Sequence, residues 1–362
     1  MGPPVKDAPF LNLVLSVVAI IAIGWLLVVG RAILLPIVMA VISVYIMVSA
    51  VEALQRMPGL GRLPPFALKM VVLAAFILSF FGLALVVAGT VREIVAVAPE
   101  YEANLLALLE GIADRFGLET QTLRTGLWEA ALERIDLQAV ALTTLGGFAS
   151  MGVTVFLVVI YAGFLLAERA NFPQKLSAAL PHAEGAAKAL KVVTDINRQI
   201  RQYLAVKTLI NLILGCISYA ILWALGVDFA FFWAIVIALL NYIPYVGSYL
   251  GVAFPVVLSL GQFASVPTTL VLLALLVSAQ VFVGNLLEPR WIGRQLNMSP
   301  FVVLVALSVW AALWGIPGAI LAVPMTSILI IVTSNFEQTR FIAVLLSERV
   351  VTPDPVEARP AG

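Results

Sequence analysis

Hydrophobic runs longer than an ordinary soluble helix needs recur along this chain. The stretches 11–29, 33–51, 66–89, 145–167, 208–225 and 266–287 are predominantly apolar, and only Arg31 marks the turn between the first two. A helix crosses the hydrocarbon of a bilayer with about 20 such residues. The runs are continuous and lack the residue-by-residue alternation of a transmembrane β-strand. This predicts α-helical spans.

Two regions break the pattern in the same way. No Asp, Glu, Lys or Arg occurs from Phe229 to Leu287, and none from Gln295 to Phe336. In the first, Asn241-Tyr-Ile-Pro-Tyr-Val-Gly-Ser-Tyr-Leu-Gly251 separates the apolar arms 229–240 and 252–260. In the second, Trp314-Gly-Ile-Pro-Gly318 separates 301–313 from 319–332. Most of these arms fall well short of the roughly 20 residues of a full span. Proline removes a backbone donor and glycine frees φ. Pro244, Gly247, Gly251, Gly315, Pro317, Gly318 and Pro324 therefore work against uninterrupted helices. Irregular backbone at membrane depth is tolerated where it is buried in protein or lines a wet cavity. Each unit predicts a re-entrant hairpin, and a short loop between two plain spans is the simpler alternative.

Charge sets the expected orientation. Segment 92–136 carries nine acidic residues against four Arg and no Lys. Its Leu and Ile positions recur at helical spacing, which predicts amphipathic helices in an extramembrane insertion. Segment 168–207 carries seven basic residues against three acidic ones. The positive-inside rule puts 168–207 in the cytoplasm, 92–136 outside, and both termini in the cytoplasm. The expected domains are three N-terminal spans (1–91), the insertion (92–144), a fourth span (145–167) and the basic segment (168–207). A core of two hairpin units (208–336, as 208–260 and 266–332) and a cytoplasmic tail (337–362) follow. The two units begin on opposite sides, the signature of an inverted-topology repeat whose broken helices meet at a substrate site.

Polar side chains inside spans are costly and usually face the protein interior. Here they are Asn211, Asn241, Gln280 and Asn285, with the hydroxyls of Tyr242 and Tyr245 nearby. Asn and Gln offer both donors and acceptors, which suits a small polar solute. Each of them fits an interhelical packing bond equally well. Glu288 and Asp228 flank the uncharged stretch and are the candidate coupling or ion-paired groups, with Arg290 or Arg294 the expected partner of Glu288.

Composition narrows the function classes. The chain of 362 residues is 62% hydrophobic and 11% charged, whereas a soluble domain is nearer half apolar and a quarter charged. The net charge of +1 points to no nucleic-acid partner. One His (His182) and one Cys (Cys216, expected as a small packing residue) give no basis for a metal or haem site, so no cofactor is expected. The sequence has no phosphate-cradling Gly-x-x-x-x-Gly-Lys-Ser/Thr motif and no catalytic constellation, so an enzyme is not expected.

Asn241-Tyr-Ile-Pro-Tyr-Val-Gly247 with Gly251, Glu288-Pro-Arg-Trp-Ile-Gly293, Leu296-Asn-Met-Ser-Pro300, and Gly315-Ile-Pro-Gly318 with Ala322-Val-Pro324 resemble motifs of the autoinducer-2 exporter family of permeases. Leu180-Pro181 and the order of spans extend the likeness over nearly the whole chain. Two departures are Ser248, where the family often has Pro, and Tyr203-Leu-Ala-Val-Lys207, which lacks the Gly and Gln common there. The resemblance implies a multi-pass protein of the bacterial inner membrane that assembles as a homo-oligomer, with pentamers among its members. It also implies export of a small polar signal molecule or, for some members, sodium/proton exchange.

These observations predict an all-α membrane protein of about eight transmembrane helices, with two Pro/Gly-broken re-entrant hairpins and a helical extramembrane insertion. The expected activity is secondary transport of a small polar, autoinducer-2-like solute by alternating access, with that solute and the lipid bilayer as partners. A cation/proton antiporter titrating Glu288 and Asp228, and a membrane scaffold without transport, are the rival readings.

Overall fold

A computed structural model describes residues 9–58, 63–116, 137–169, 171–180, 182–292 and 297–348. Among these the fold is all helical, and the expected class holds. The helices are α1 (Pro9–Val29), α2 (Arg31–Gln55), α3 (Pro65–Phe116), α4 (Leu137–Glu168), α5 (Phe172–Ala179) and α6 (Ala183–Ala224). They continue as α7 (Ala230–Leu240), α8 (Val246–Phe263), α9 (Val266–Val281), a π-helical turn (Phe282–Leu287), α10 (Glu288–Ile292), α11 (Pro300–Ser334) and α12 (Arg340–Leu346). Much of the insertion expected at 92–144 (residues 117–136) and most of the tail lie outside the described residues.

Six of these helices, counted by length and composition, are apolar enough to cross a membrane, and a seventh span arises if α4 and α5, bent by 74°, count as one. Their outward faces carry Phe81, Leu85, Phe164, Trp223 and Val257, each more than 60% exposed. Apolar surface on that scale calls for lipid or a partner rather than water. The chain is a multi-pass membrane protein.

Two helices run straight through boundaries where the composition changes. At 52 residues, α3 is about 78 Å long against about 30 Å of hydrocarbon, so the third apolar run and the first part of the acidic segment form one rod. At 42 residues, α6 joins the basic segment to the fifth apolar run. A helix satisfies its backbone internally in water or lipid, so neither change of medium has to interrupt it. The first two runs also differ from two separate spans. Only Gly30 (φ −79°, ψ 2°) lies between α1 and α2, and its ψ is about 45° from the helical value, which bends the path but does not reverse it. Cys216 faces outward on α6 and is not packed inside.

Two bundles carry the burial. In one, α2, α3 and α4 enclose Ala40, Met47, Leu68, Val158 and Ala162. In the other, α6 is the central post, with Ile210, Leu214 and Leu222 packed against Ile237 of α7, Leu272 and Leu276 of α9, and Leu321 of α11. The basic half of α6 is tied to α2 by the Arg201–Glu52 ion pair and by Tyr45 Oη donating to Asn197 Oδ1 at 2.6 Å.

Both expected breaks are present, and both fold the chain back on itself. After α7 the turn Asn241–Tyr245 leads directly into α8. Tyr245 (φ 61°, ψ −63°) and the Val246 N–H to Pro244 O bond of 2.6 Å form a classic γ-turn, a rare and strained conformation. The reversal brings Gly247 so near the end of α7 that a Cβ there would lie 1.7 Å from Leu240 O. In α11 the break is at Gly315 (φ 68°, ψ −145°), a backbone conformation essentially confined to glycine. Trp310 and Thr326 would be about 24 Å apart on a straight helix, yet Trp310 Nε1 donates to Thr326 Oγ1 at 3.1 Å. A Cβ on Gly318 would lie 2.0 Å from Trp310 O.

Candidate functional site

The first elbow rests on one face of α6. Residues three and four apart on a helix are neighbours, so Lys207, Thr208 and Asn211 line up toward the turn. Asn241 Nδ2 donates to Asn211 Oδ1 at 2.8 Å, and Ser248 Oγ donates to Asn241 Oδ1 at 3.1 Å. Tyr242 Oη shares a hydrogen bond of 2.8 Å with Thr208 Oγ1. Asn211 and Asn241 are only 3% and 6% exposed. The relay uses Ser248 as donor and Asn241 as bridge, and it leaves Asn211 Nδ2 buried without a well-aligned hydrogen bond, with only the Tyr242 hydroxyl in reach. A buried donor left short of a hydrogen bond costs about 1–3 kcal/mol, so this atom is poised for an acceptor.

The second elbow meets the first. Ile243, in the turn between α7 and α8, packs with Leu307, Ala319 and Ala322 of the two arms of α11, and Leu240 and Trp310 close around them. Gly318 and Pro324 are buried along this seam, whereas Pro317 is half-buried and Gly315 exposed at the tip. Trp314, 5% exposed, donates its Nε1–H to Leu27 O at 3.0 Å and so anchors the second break on the last turn of α1.

Lys207, 3% exposed, reaches Glu288 with Nζ 2.6 Å from Oε1. This corrects the expected pairing of Glu288. Arg290 lies two positions further on α10, and residues so spaced on a helix do not face each other, so its side chain points out and is exposed. Arg294 lies outside the described residues.

Asp228 sits away from the elbow, at the open end of the first hairpin. It accepts from Tyr101 Oη of α3 at 2.6 Å, and its own N–H donates to Gln262 Oε1 at 2.9 Å. Gln262 Nε2 in turn donates to Gly226 O at 2.8 Å. The clasp therefore stitches α6, α8 and the long α3 together. Tyr101→Phe is expected to remove about 1–2 kcal/mol, read as a lower unfolding temperature of the purified protein in detergent.

Of the other expected site residues, Pro244 and Tyr245 form the strained turn. Gly251 lies against α7, where a Cβ would be 3.3 Å from Ile237 Cα. Gln280 is half-buried with Nε2 unpartnered, and Asn285 is exposed on the π-helical turn. Neither joins the hydrogen-bonded cluster. Thr208 and Ser248 do join it, and Lys207, one turn away on α6, pairs with Glu288; none of the three was anticipated. Ser248 and Lys207 fall where the sequence departs from the permease pattern.

The profile of the AI-2E family transporters matches residues 14–338. The chain belongs to this family. Its relatives include the AI-2 transport protein TqsA of Escherichia coli (strain K12), 29% identical over 323 residues, covering 87% of this chain and 90% of TqsA. YhhT of the same strain is 31% identical over 271 residues, covering 73% of this chain and 74% of YhhT. The profile spans all the elements that build the two elbows, so the AI-2E family assignment includes the site as well as the apolar scaffold.

Proposed function

We propose that this AI-2E family member moves a small polar solute across the bacterial inner membrane through the seam between the two hairpins, alternating its access from one side to the other. The Nδ2 of Asn211, buried beside the first elbow without a well-aligned hydrogen bond, carries the reading. A polar group kept at membrane depth without a well-made hydrogen bond is costly unless something visits it. The name of TqsA supports an autoinducer-2-like molecule as the solute. The contact of Ile243 with both arms of α11 supports hairpins entering from opposite sides. In this reading the basic half of α6 and the C-terminus face the cytoplasm, the acidic part of α3 faces outward, and the exposed apolar flanks are covered by lipid and by copies of the chain in a homo-oligomer.

The antiporter reading needs a carboxylate free to exchange a cation for a proton. The Glu288 carboxylate is held by Lys207 and that of Asp228 by the Tyr101 hydroxyl, which favours solute transport. Purified protein in proteoliposomes distinguishes the two. Solute flux that is indifferent to an imposed pH gradient is expected. Sodium-linked proton movement without solute flux would overturn the proposal. Single cysteines at Tyr245 and Ile316, both exposed at the two breaks, test the opposed hairpins, which predict labelling from opposite faces, and labelling of both from one face would contradict them.

A further inference from the structure

We infer that Lys207 and Glu288 form the inner gate of this pathway, and that the π-helical turn Phe282–Leu287 is the hinge that opens it. The inference rests on the transport reading above. Four ion pairs occur among the described residues, and this is the one with a nearly dry partner: the Lys207 side chain is 4% exposed and that of Glu288 30%. The pair thus lies where the dry interior meets water.

Its place along α6 is equally specific. Lys207 immediately precedes Thr208, which holds Tyr242, and stands one turn from Asn211, which holds Asn241. The ion pair therefore closes the end of the polar cluster that faces the basic half of α6. Glu288 is the first charged residue after the uncharged stretch that begins at Phe229.

The element that presents Glu288 supplies the movement. A π-helical turn accommodates one residue more than an α-helix would, with poorer hydrogen bonding, and such turns concentrate at functional sites. Here it ends at Leu287, directly before Glu288. When the extra residue migrates past Glu288, the side chain swings by about 100° around the helix axis, the angle one residue subtends. That swing takes the carboxylate off Lys207 without disturbing α9, which stays packed through Leu272 and Leu276. A buried ion pair is firm when made and costly when half broken, so the gate has two states rather than a continuum.

The test uses the full chain in oriented proteoliposomes with Cys216→Ser and a reporter, Ser248→Cys, labelled by an impermeant maleimide from the side of the basic half of α6. Glu288→Gln and Lys207→Met are each expected to speed labelling by about tenfold or more, given the cost of leaving one buried charge alone. The reversed pair Lys207→Glu with Glu288→Lys is expected to bring the rate back to within about twofold of the parent, since the same attraction is restored. Deletion of Gly284 removes the extra residue while keeping both charges, and it is expected to label as fast as Glu288→Gln. Unchanged labelling in the single variants, or a reversed pair as open as the singles, would overturn the gate. A slow-labelling Gly284 deletion would overturn the hinge. Labelling needs no solute, so failure of the gate is distinguishable from failure of the transport reading, which flux tests.

Discussion

Alanine at Gly247 is expected to abolish transport and to cost about 2–5 kcal/mol of stability, the range for severe overpacking at a buried backbone contact. A Cβ at that position would fall 1.7 Å from Leu240 O and 2.5 Å from Leu240 C. Both are backbone atoms at the end of α7, so no side-chain rotation relieves the clash. The elbow has to open, and the turn that would absorb the opening already holds Tyr245 at a positive φ. Opening it also separates Asn241 from Asn211. Gly318→Ala is expected to act in the same way on the second hairpin, with its Cβ 2.0 Å from Trp310 O. Gly82→Ala and Gly89→Ala are the controls. Nothing lies within 4 Å of a Cβ at either position, and both sit inside α3, where alanine is the better helix former by about 1 kcal/mol. Thermal unfolding in detergent and flux in proteoliposomes read both effects. Parental flux from Gly247→Ala would remove the elbow from the pathway.

The second large effect separates stability from transport at the amide pair. Asn241→Leu strips Asn211 Oδ1 of its donor and Ser248 Oγ of its acceptor, and it is expected to cost about 1–3 kcal/mol for each buried group left unpaired. Replacing both amides, as Asn211→Leu with Asn241→Leu, removes the stranded Asn211 groups and leaves only Ser248 Oγ without its acceptor. Exchanging both partners for apolar groups of similar shape is nearly neutral, so the double variant should be more stable than Asn241→Leu alone. It is nevertheless expected to transport no better, because the acceptor-seeking Nδ2 has gone. A double variant that recovers flux together with stability would make the pair a packing device.

How far the sequence reaches is clear from particular residues. Pro244, Gly247 and Gly315-Ile-Pro-Gly318 marked both reversals, because proline and glycine act on local backbone geometry and need no tertiary context to be read. Asn211 and Asn241 stood out as polar groups in apolar runs, and they found each other. Lys207 did not stand out. It ends a basic segment, and only the continuation of α6 through that boundary turns it inward, one turn from Asn211. The partner of Glu288 was missed because proximity in sequence suggested Arg290, whereas helical geometry points the two apart. The π-helical turn has no compositional mark. The bend at Gly30 shows why apolar runs alone do not count membrane crossings: one residue of near-helical geometry joins two of them without reversing the chain.

Uptake of autoinducer-2 and related small polar solutes by proteoliposomes holding either the parent protein or the Asn211→Leu, Asn241→Leu variant tests the central claim most directly. Flux through the parent, and a loss of about tenfold or more in a variant that keeps the parental elution volume, is the predicted result, in line with losing the hydrogen bonds of one buried polar group. Equal flux through both would contradict the placement of the pathway at the seam between the two hairpins.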